Sequence, residues 1–182
     1  MIPLSVPQLA GNEWKYVKDC LDTGWISSAG SYVNQFEQMI AEYTGAKFGI
    51  ACMNGTVGLH ISQILSGVTN IDHVIAPNIT FIATLNAIKY TGASPILIDV
   101  CKDSWQMDLE ILEEYLQNNT QLKENSSGEV YSYHISTGKR VKAIMPVHVL
   151  GNVGDIDKLI NISEKFKLDI IEDSTESLGS YY

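Results

Sequence analysis

Val141-Lys142-Ala143-Ile144-Met145-Pro146-Val147 is an almost wholly apolar run. A helical spacing of apolar positions follows over residues 156–166, and then a second short run, Leu168-Asp169-Ile170-Ile171. A strand covered on both faces reads as a near-continuous hydrophobic stretch, and strand, helix, strand in that order is the unit of a parallel sheet. Toward the N-terminus the alternation repeats, with strands expected over 48–52, 73–76 and 95–100 and helices over 56–65, 81–90 and 109–116. The expected fold is therefore α/β, a three-layer, mainly parallel sheet with helices on both faces.

Two regions depart from that rhythm. Residues 118–140 are rich in Asn, Ser, Thr, Lys and Glu, with a β-prone patch at Val130-Tyr131-Ser132-Tyr133 and a turn-like Ser136-Thr137-Gly138-Lys139. They read as a surface insertion, for which a hairpin is one form. Residues 1–45 read as a helical segment. Its first helix carries Trp14, Val17 and Leu21 on one face and stops at Gly24; the second, over 32–43, carries Val33, Phe36 and Ile40 and stops at Gly45. The expected division is thus 1–45 and 46–182.

Composition narrows the function classes. The net charge of −9 comes from 21 acids against 12 bases, and Arg140 is the one arginine. Nucleic-acid binding has no electrostatic footprint in such a chain. Cys20, Cys52 and Cys101 are odd in number, far apart and in no CxxC pattern, so neither a disulfide framework nor a zinc site is expected. The N-terminus has no basic, apolar leader pattern and no run reaches membrane-spanning length, so a cytoplasmic protein with no membrane partner is expected.

Chemistry-bearing residues gather where strands give way to helices. Met53-Asn54-Gly55-Thr56 places a glycine and a hydroxyl at a helix start, where free amides hold phosphate; it also reads as an ordinary N-cap. Pro77-Asn78-Ile79-Thr80-Phe81-Ile82-Ala83-Thr84 offers Phe81 as a flat stacking face, or as a core residue of a first helical turn. Pro146-Val147-His148-Val149-Leu150-Gly151-Asn152 places His148 just past a buried strand, and Trp25 lies in a loop between the first two helices, where it reads most simply as a packing anchor. Finally, Leu168-Asp169-Ile170-Ile171-Glu172-Asp173-Ser174-Thr175-Glu176-Ser177-Leu178-Gly179 delivers two carboxylates at a strand end, although alone it also reads as the start of a solvated turn. Ligands of open α/β sheets bind at the carboxyl ends of the strands. A phosphate cradle at Gly55 and Thr56, a ring at Phe81 and an acid at Asp173 on one such rim describe a site for pyridoxal phosphate (PLP), whose pyridinium needs a carboxylate partner. The GxGxxG and GxxxxGK(S/T) fingerprints are absent, which removes the usual support for a nicotinamide or nucleoside triphosphate.

With these residues in view the chain resembles the DegT/DnrJ/EryC1/StrS sugar aminotransferases, fold-type I PLP enzymes. The matching stretches are Gly11-Asn12-Glu13, Gly24-Trp25-Ile26-Ser27-Ser28-Ala29-Gly30, Asn54-Gly55-Thr56, Thr80-Phe81-Ile82-Ala83-Thr84, Pro146-Val147-His148 and Glu172-Asp173-Ser174-Thr175-Glu176. Within the family, Ile2-Pro3-Leu4-Ser5-Val6-Pro7 together with residues 25–30 looks most like the LegC-type branch. The resemblance implies a PLP-dependent transfer of an amino group, with glutamate as donor, to a nucleotide-linked 4-keto-6-deoxy sugar in surface-glycan or nonulosonic acid biosynthesis, by a homodimer. It implies that Gly55 and Thr56 hold the phosphate, that Phe81 stacks on the ring and that Asp173 pairs with its nitrogen. Glu176 stands where many relatives have Gln or His near the ring hydroxyl; Trp25 and His148 are weaker candidates for substrate contact.

The family's Schiff-base lysine lies beyond the Asp-containing motif, and no lysine follows Lys167 here. The expectation is an incomplete fold-type I large domain without the C-terminal small domain, the N-terminal part of a longer enzyme and inactive alone. Two other readings stand beside it: a non-catalytic remnant or regulatory relative, and an oxidoreductase on a Rossmann-like sheet.

Overall fold

A computed structural model describes residues 2–3 and 6–181. Leu4 and Ser5 of the opening segment, like Met1 and Tyr182, lie outside the described residues. The chain divides into two compact units, residues 1–51 and 52–182.

The first unit carries α1 (Glu13–Thr23) and α2 (Ser31–Thr44), which end at Gly24 and Gly45 with φ of 76° and 71°. That left-handed turn is where glycine avoids the steric cost of a Cβ, and it is why the two stops were legible. Tyr16 meets Tyr32 edge-on at 5.2 Å between ring centroids, and the Tyr32 hydroxyl donates to Asp19 Oδ2 at 3.0 Å.

The strand expected over 48–52 is not formed. A strand needs a neighbouring ladder for its backbone groups, and here the Ala51 N–H donates at 2.8 Å to the side chain of Glu37 on α2 instead. Gly49 lies so close to that helix that a Cβ would fall 2.3 Å from the Glu37 carbonyl oxygen. The segment is bound to a helix surface rather than to a sheet.

The second unit contains α3 (Gly55–Leu65), β1 (Asp72–Pro77), α4 (Ile82–Tyr90), β2 (Ser94–Ile98), α5 (Leu109–Asn119), β3 (Thr120–Glu124), β4 (Val130–His134), β5 (Arg140–Ile144), α6 (Ile156–Phe166) and β6 (Asp169–Ile170). Its sheet has six strands. β1 pairs in parallel with β2 and β5, and β5 pairs in parallel with β6. Residues 120–134 form an antiparallel hairpin, and β4 joins the same sheet antiparallel to β5. The second edge of β5 is shared, since Arg140 and Val141 pair with β4 while Ala143 and Ile144 pair with β6. Ser132 of the hairpin is fully buried, and its hydroxyl donates to the Phe166 carbonyl at 2.6 Å, tying the hairpin to the end of α6.

Two cores flank the sheet. Ile75, Val141 and Ile144 pack with Leu112 and Leu116 of α5 and Leu159 and Ile162 of α6. Val74, Ala76, Ala143 and Met145 pack with Leu59 of α3 and Ala87 and Ile88 of α4. Alternation along β1 sends neighbouring residues to opposite faces. On β5 the alternation slips, because Val141 and Ile144, three apart, share a face. The β1–β5 register shifts between His73 and Val74, pairing His73 with Val141 and Val74 with Ala143, and the extra residue, Lys142, is a bulge.

At the amino ends of β1 and β5 lies an ion pair. Arg140 Nε and Nη2 donate to Asp72 Oδ1 and Oδ2, each at 2.8 Å, and Nη2 also donates to the Gly67 carbonyl at 2.9 Å. The chain's one guanidinium is thus committed to the fold. Among the described residues no helix is long and apolar enough to cross a membrane.

Candidate functional site

β1, β5 and β6 run in parallel, so the segments that leave them emerge on one rim. Past β5 and β6 the pairing continues as an isolated parallel bridge between Val147 and Asp173. The Asp173 N–H donates to the Pro146 carbonyl at 2.9 Å and the His148 N–H to the Asp173 carbonyl at 3.2 Å. The acid is therefore placed by backbone bonds before its side chain makes any contact.

Asp173 is only 8% exposed. Its Oδ2 accepts from the Thr84 hydroxyl at 3.2 Å, and its Oδ1 accepts from the Thr175 hydroxyl at 2.8 Å and the Thr175 N–H at 3.3 Å. Thr84 is fully buried on the first turns of α4, where its hydroxyl also meets that of Thr80 at 2.8 Å. Thr175 fills both acceptor sites of Oδ1, whereas Oδ2, with Thr84 as its one donor, keeps a lone pair for a further one.

The start of α3 reaches the same place. A Cβ built on Gly55 would lie 3.5 Å from the Thr175 hydroxyl oxygen, one hydrogen bond away from Asp173. The Asn54 side chain caps the helix by accepting from the Val57 N–H at 3.0 Å. That leaves the first-turn amides of Gly55 and Thr56, which have no carbonyl one turn back, directed outward. Phe81 stands at the N-cap of α4, three residues before Thr84, with its ring 78% exposed. Gly55, Thr56, Phe81 and Asp173 are thus gathered around two threonines that sequence reasoning had given no role. Thr175 was within reach of such reasoning, since a hydroxyl two residues after an Asp closes a local turn. Thr84 lies one helical turn past Thr80 and Phe81, a spacing that places it on their face.

The remaining candidates lie differently. His148 is 2% exposed, and its Nε2 pairs with Glu172 Oε1 at 3.0 Å. Glu176 places Oε2 at 2.7 Å from the Leu150 N–H, where it is the acceptor. Trp25 belongs to the 1–51 unit, in the loop between α1 and α2, and is 64% exposed.

The sequence profile of the DegT/DnrJ/EryC1/StrS aminotransferase family matches residues 7–182. The chain is 38% identical over 181 residues to GDP-perosamine synthase of Escherichia coli O157:H7, an overlap of 100% of this chain and 44% of that protein. It is 36% identical to GDP-perosamine synthase of Caulobacter vibrioides, again over 100% of this chain and 43% of the relative. The chain therefore spans less than half the length of these curated relatives. The crystal structure of a DegT DnrJ EryC1 StrS aminotransferase from Brucella abortus superposes with a TM-score of 0.77 at 30% identity, over 91% of this chain and 40% of that one. The mainly parallel α/β sheet is that of the fold-type I PLP aminotransferases, of which it is an incomplete copy. By sequence profile, identity and fold together, the chain belongs to the DegT/DnrJ/EryC1/StrS aminotransferase family, whose members use pyridoxal phosphate.

Proposed function

We propose that the polypeptide to which these residues belong transfers an amino group from glutamate to a nucleotide-linked 4-keto-6-deoxy sugar, in surface-glycan or nonulosonic acid biosynthesis. The observation that carries this reading is Asp173, a carboxylate almost withdrawn from water, held by Thr84 and Thr175 beside the glycine start of α3. The donor set suits a phosphorylated pyridine. Gly55 and Thr56 present amides and the positive end of the α3 dipole to a phosphate. Phe81 presents an open ring face for stacking. Asp173 accepts the ring N–H and favours its protonated form, while the two threonines keep the carboxylate from turning away. Pyridoxal phosphate, when bound, supplies an electron sink for the amino-group transfer.

The names of the relatives support a sugar-nucleotide substrate of the GDP-linked class. The LegC-type branch is the finer reading of residues 2–7 and 25–30, and those names do not add to it. Glutamate as donor, a cytoplasmic location and a homodimer are parts of the same proposal.

Equilibrium dialysis of the chain against pyridoxal phosphate tests the site. Binding that Asp173→Asn weakens by about ten-fold or more, the factor for 1.4 kcal/mol, supports it; binding indifferent to that change removes Asp173 from it. Glutamate-dependent amination of a GDP-4-keto-6-deoxy sugar by the longer polypeptide tests the reaction.

A further inference from the structure

We propose that Glu176 is a positioning residue, which holds the Val149–Gly151 turn against the loop bearing Asp173 and does not touch the cofactor ring. The latch stands on geometry alone; its consequence for the cofactor rests on the reading above.

Leu150 adopts φ 58° and ψ 24°, the left-handed region that a side chain with a Cβ enters at a cost. Its side chain is 75% exposed, so packing does not hold it there. Its amide is held instead, donating at 2.7 Å to Glu176 Oε2, and a bond from a carboxylate to a backbone N–H is stronger than one between neutral groups. Gly151 follows at φ 75°, so near the 176 backbone that a Cβ would lie 2.8 Å from the Glu176 carbonyl oxygen. The Ser180 hydroxyl then donates to the Gly151 carbonyl at 2.8 Å.

At its other end the same turn is stitched by the His148 N–H to the Asp173 carbonyl and by the His148 ring to Glu172. Residues 148–151 and 172–180 therefore form one clamp, with Asp173 at one end and Glu176 at the other. An ionised carboxylate has only acceptors, and the phenolic oxygen of a pyridoxal ring is itself an acceptor. A glutamate at 176 thus has no donor to offer that oxygen, whereas the Leu150 amide has one to offer the glutamate.

The test compares wild type, Glu176→Gln and Glu176→Ala in the 182-residue chain. Amide hydrogen exchange is read by NMR at Leu150, with Leu112 of α5 as internal reference, and pyridoxal phosphate binding is read by dialysis and by the absorbance of the bound ligand. The latch requires Glu176→Ala to speed Leu150 exchange by about ten-fold at unchanged Leu112 exchange, and Glu176→Gln, which keeps an acceptor oxygen, to restore most of the protection. It further requires the absorbance of bound pyridoxal phosphate to be the same in wild type and Glu176→Gln. Unchanged Leu150 exchange in Glu176→Ala overturns the latch, and a shifted absorbance band in Glu176→Gln overturns the absence of ring contact. If Leu150 responds as stated but no variant binds pyridoxal phosphate, the latch stands and the cofactor reading falls.

Discussion

Thr84 and Asp173, 89 positions apart, meet through a hydrogen bond of 3.2 Å between the threonine hydroxyl and Oδ2 of the acid. The bond joins the first turns of α4 to the loop after β6, two elements with no other reason to share a register. It orients a carboxylate that backbone pairing alone places only to within a rotamer. Thr84→Val keeps the shape and removes the donor. It is expected to cost about 1–2 kcal/mol of stability in urea unfolding and to weaken pyridoxal phosphate binding, with Thr84→Ser close to wild type in both. Equal binding by the valine and serine variants would deny Thr84 any positioning role.

Asp72 is fully buried and takes two bonds from Arg140 and two from Thr69, through its N–H at 2.7 Å and its hydroxyl at 2.9 Å. Burial pushes its carboxyl upward in pKa, but the hydrogen bonds from Arg140 and Thr69 outweigh it and hold the group below the usual range. A depressed native value stabilises the fold above the unfolded pKa and is lost as pH falls through the native one. Arg140→Met should cost roughly 3–5 kcal/mol at neutral pH by leaving the charge unpaired. That penalty should shrink as the pH falls, because the buried Asp72 that has lost its guanidinium partner sheds its charge by taking up a proton more readily than in wild type. A penalty independent of pH would mean that Arg140 acts by packing.

His73 is buried at the amino end of β1, with Nδ1 at 3.2 Å from the Ser94 carbonyl and Nε2 at 2.9 Å from the Thr137 hydroxyl. Burial is the first cause that holds its pKa below the ordinary value; the bond to Ser94 opposes it, and His134 and Lys139 add to it. The unfolded chain therefore binds the proton more readily, so the stabilisation is present above about pH 6.5 and falls away as the pH drops through the lower native value. Urea midpoints taken from pH 7.5 down to 5.5 should decline in wild type and decline less in His73→Gln. Parallel curves would exclude this histidine as the source.

Gln63 is fully buried on α3; its Nε2 donates to the Leu59 carbonyl at 3.2 Å, while its Oε1 has no hydrogen-bond partner among the described residues. An orphaned buried acceptor costs about 1–3 kcal/mol. Gln63→Met, of similar length, is expected to leave stability unchanged or raise it by about 1 kcal/mol in denaturant unfolding. A clear loss of stability would show that the amide oxygen has a donor, such as a buried water.

Much of the fold and of the candidate site was legible because it follows from local order. The expected helix over 156–166 is α6 to the residue, since its apolar spacing is strong and Asp155 caps it by accepting from the Lys158 N–H at 2.9 Å. Phe81 and Asp173 could be found as residues just past strand ends, because parallel strands must deliver their exits to one rim, and Gly55 as the glycine of a helix start. The expected strand at 48–52 failed on the same logic: hydrophobic alternation shows that a segment is able to pair, not that a partner is there. The hairpin at 120–134 was read from its polarity as a surface feature, yet β4 pairs with β5, because a polar segment can extend a sheet at its edge.

From its sequence alone this chain determines a mainly parallel α/β sheet, the helix stops at Gly24 and Gly45, and membership of a family whose enzymes use pyridoxal phosphate. These are properties of periodicity, backbone freedom and residue type, all readable within a few positions. Only the tertiary structure decided that Thr84 and Thr175 hold Asp173, that the lone arginine serves Asp72, that His148 faces Glu172, and that Glu176 is spent on the Leu150 amide. Each of the four rests on directional bonds of about 3 Å, and all of these except the Thr175–Asp173 bond join residues far apart in sequence. A hydrophobic pattern specifies which face a residue turns to, but not which single atom it meets there.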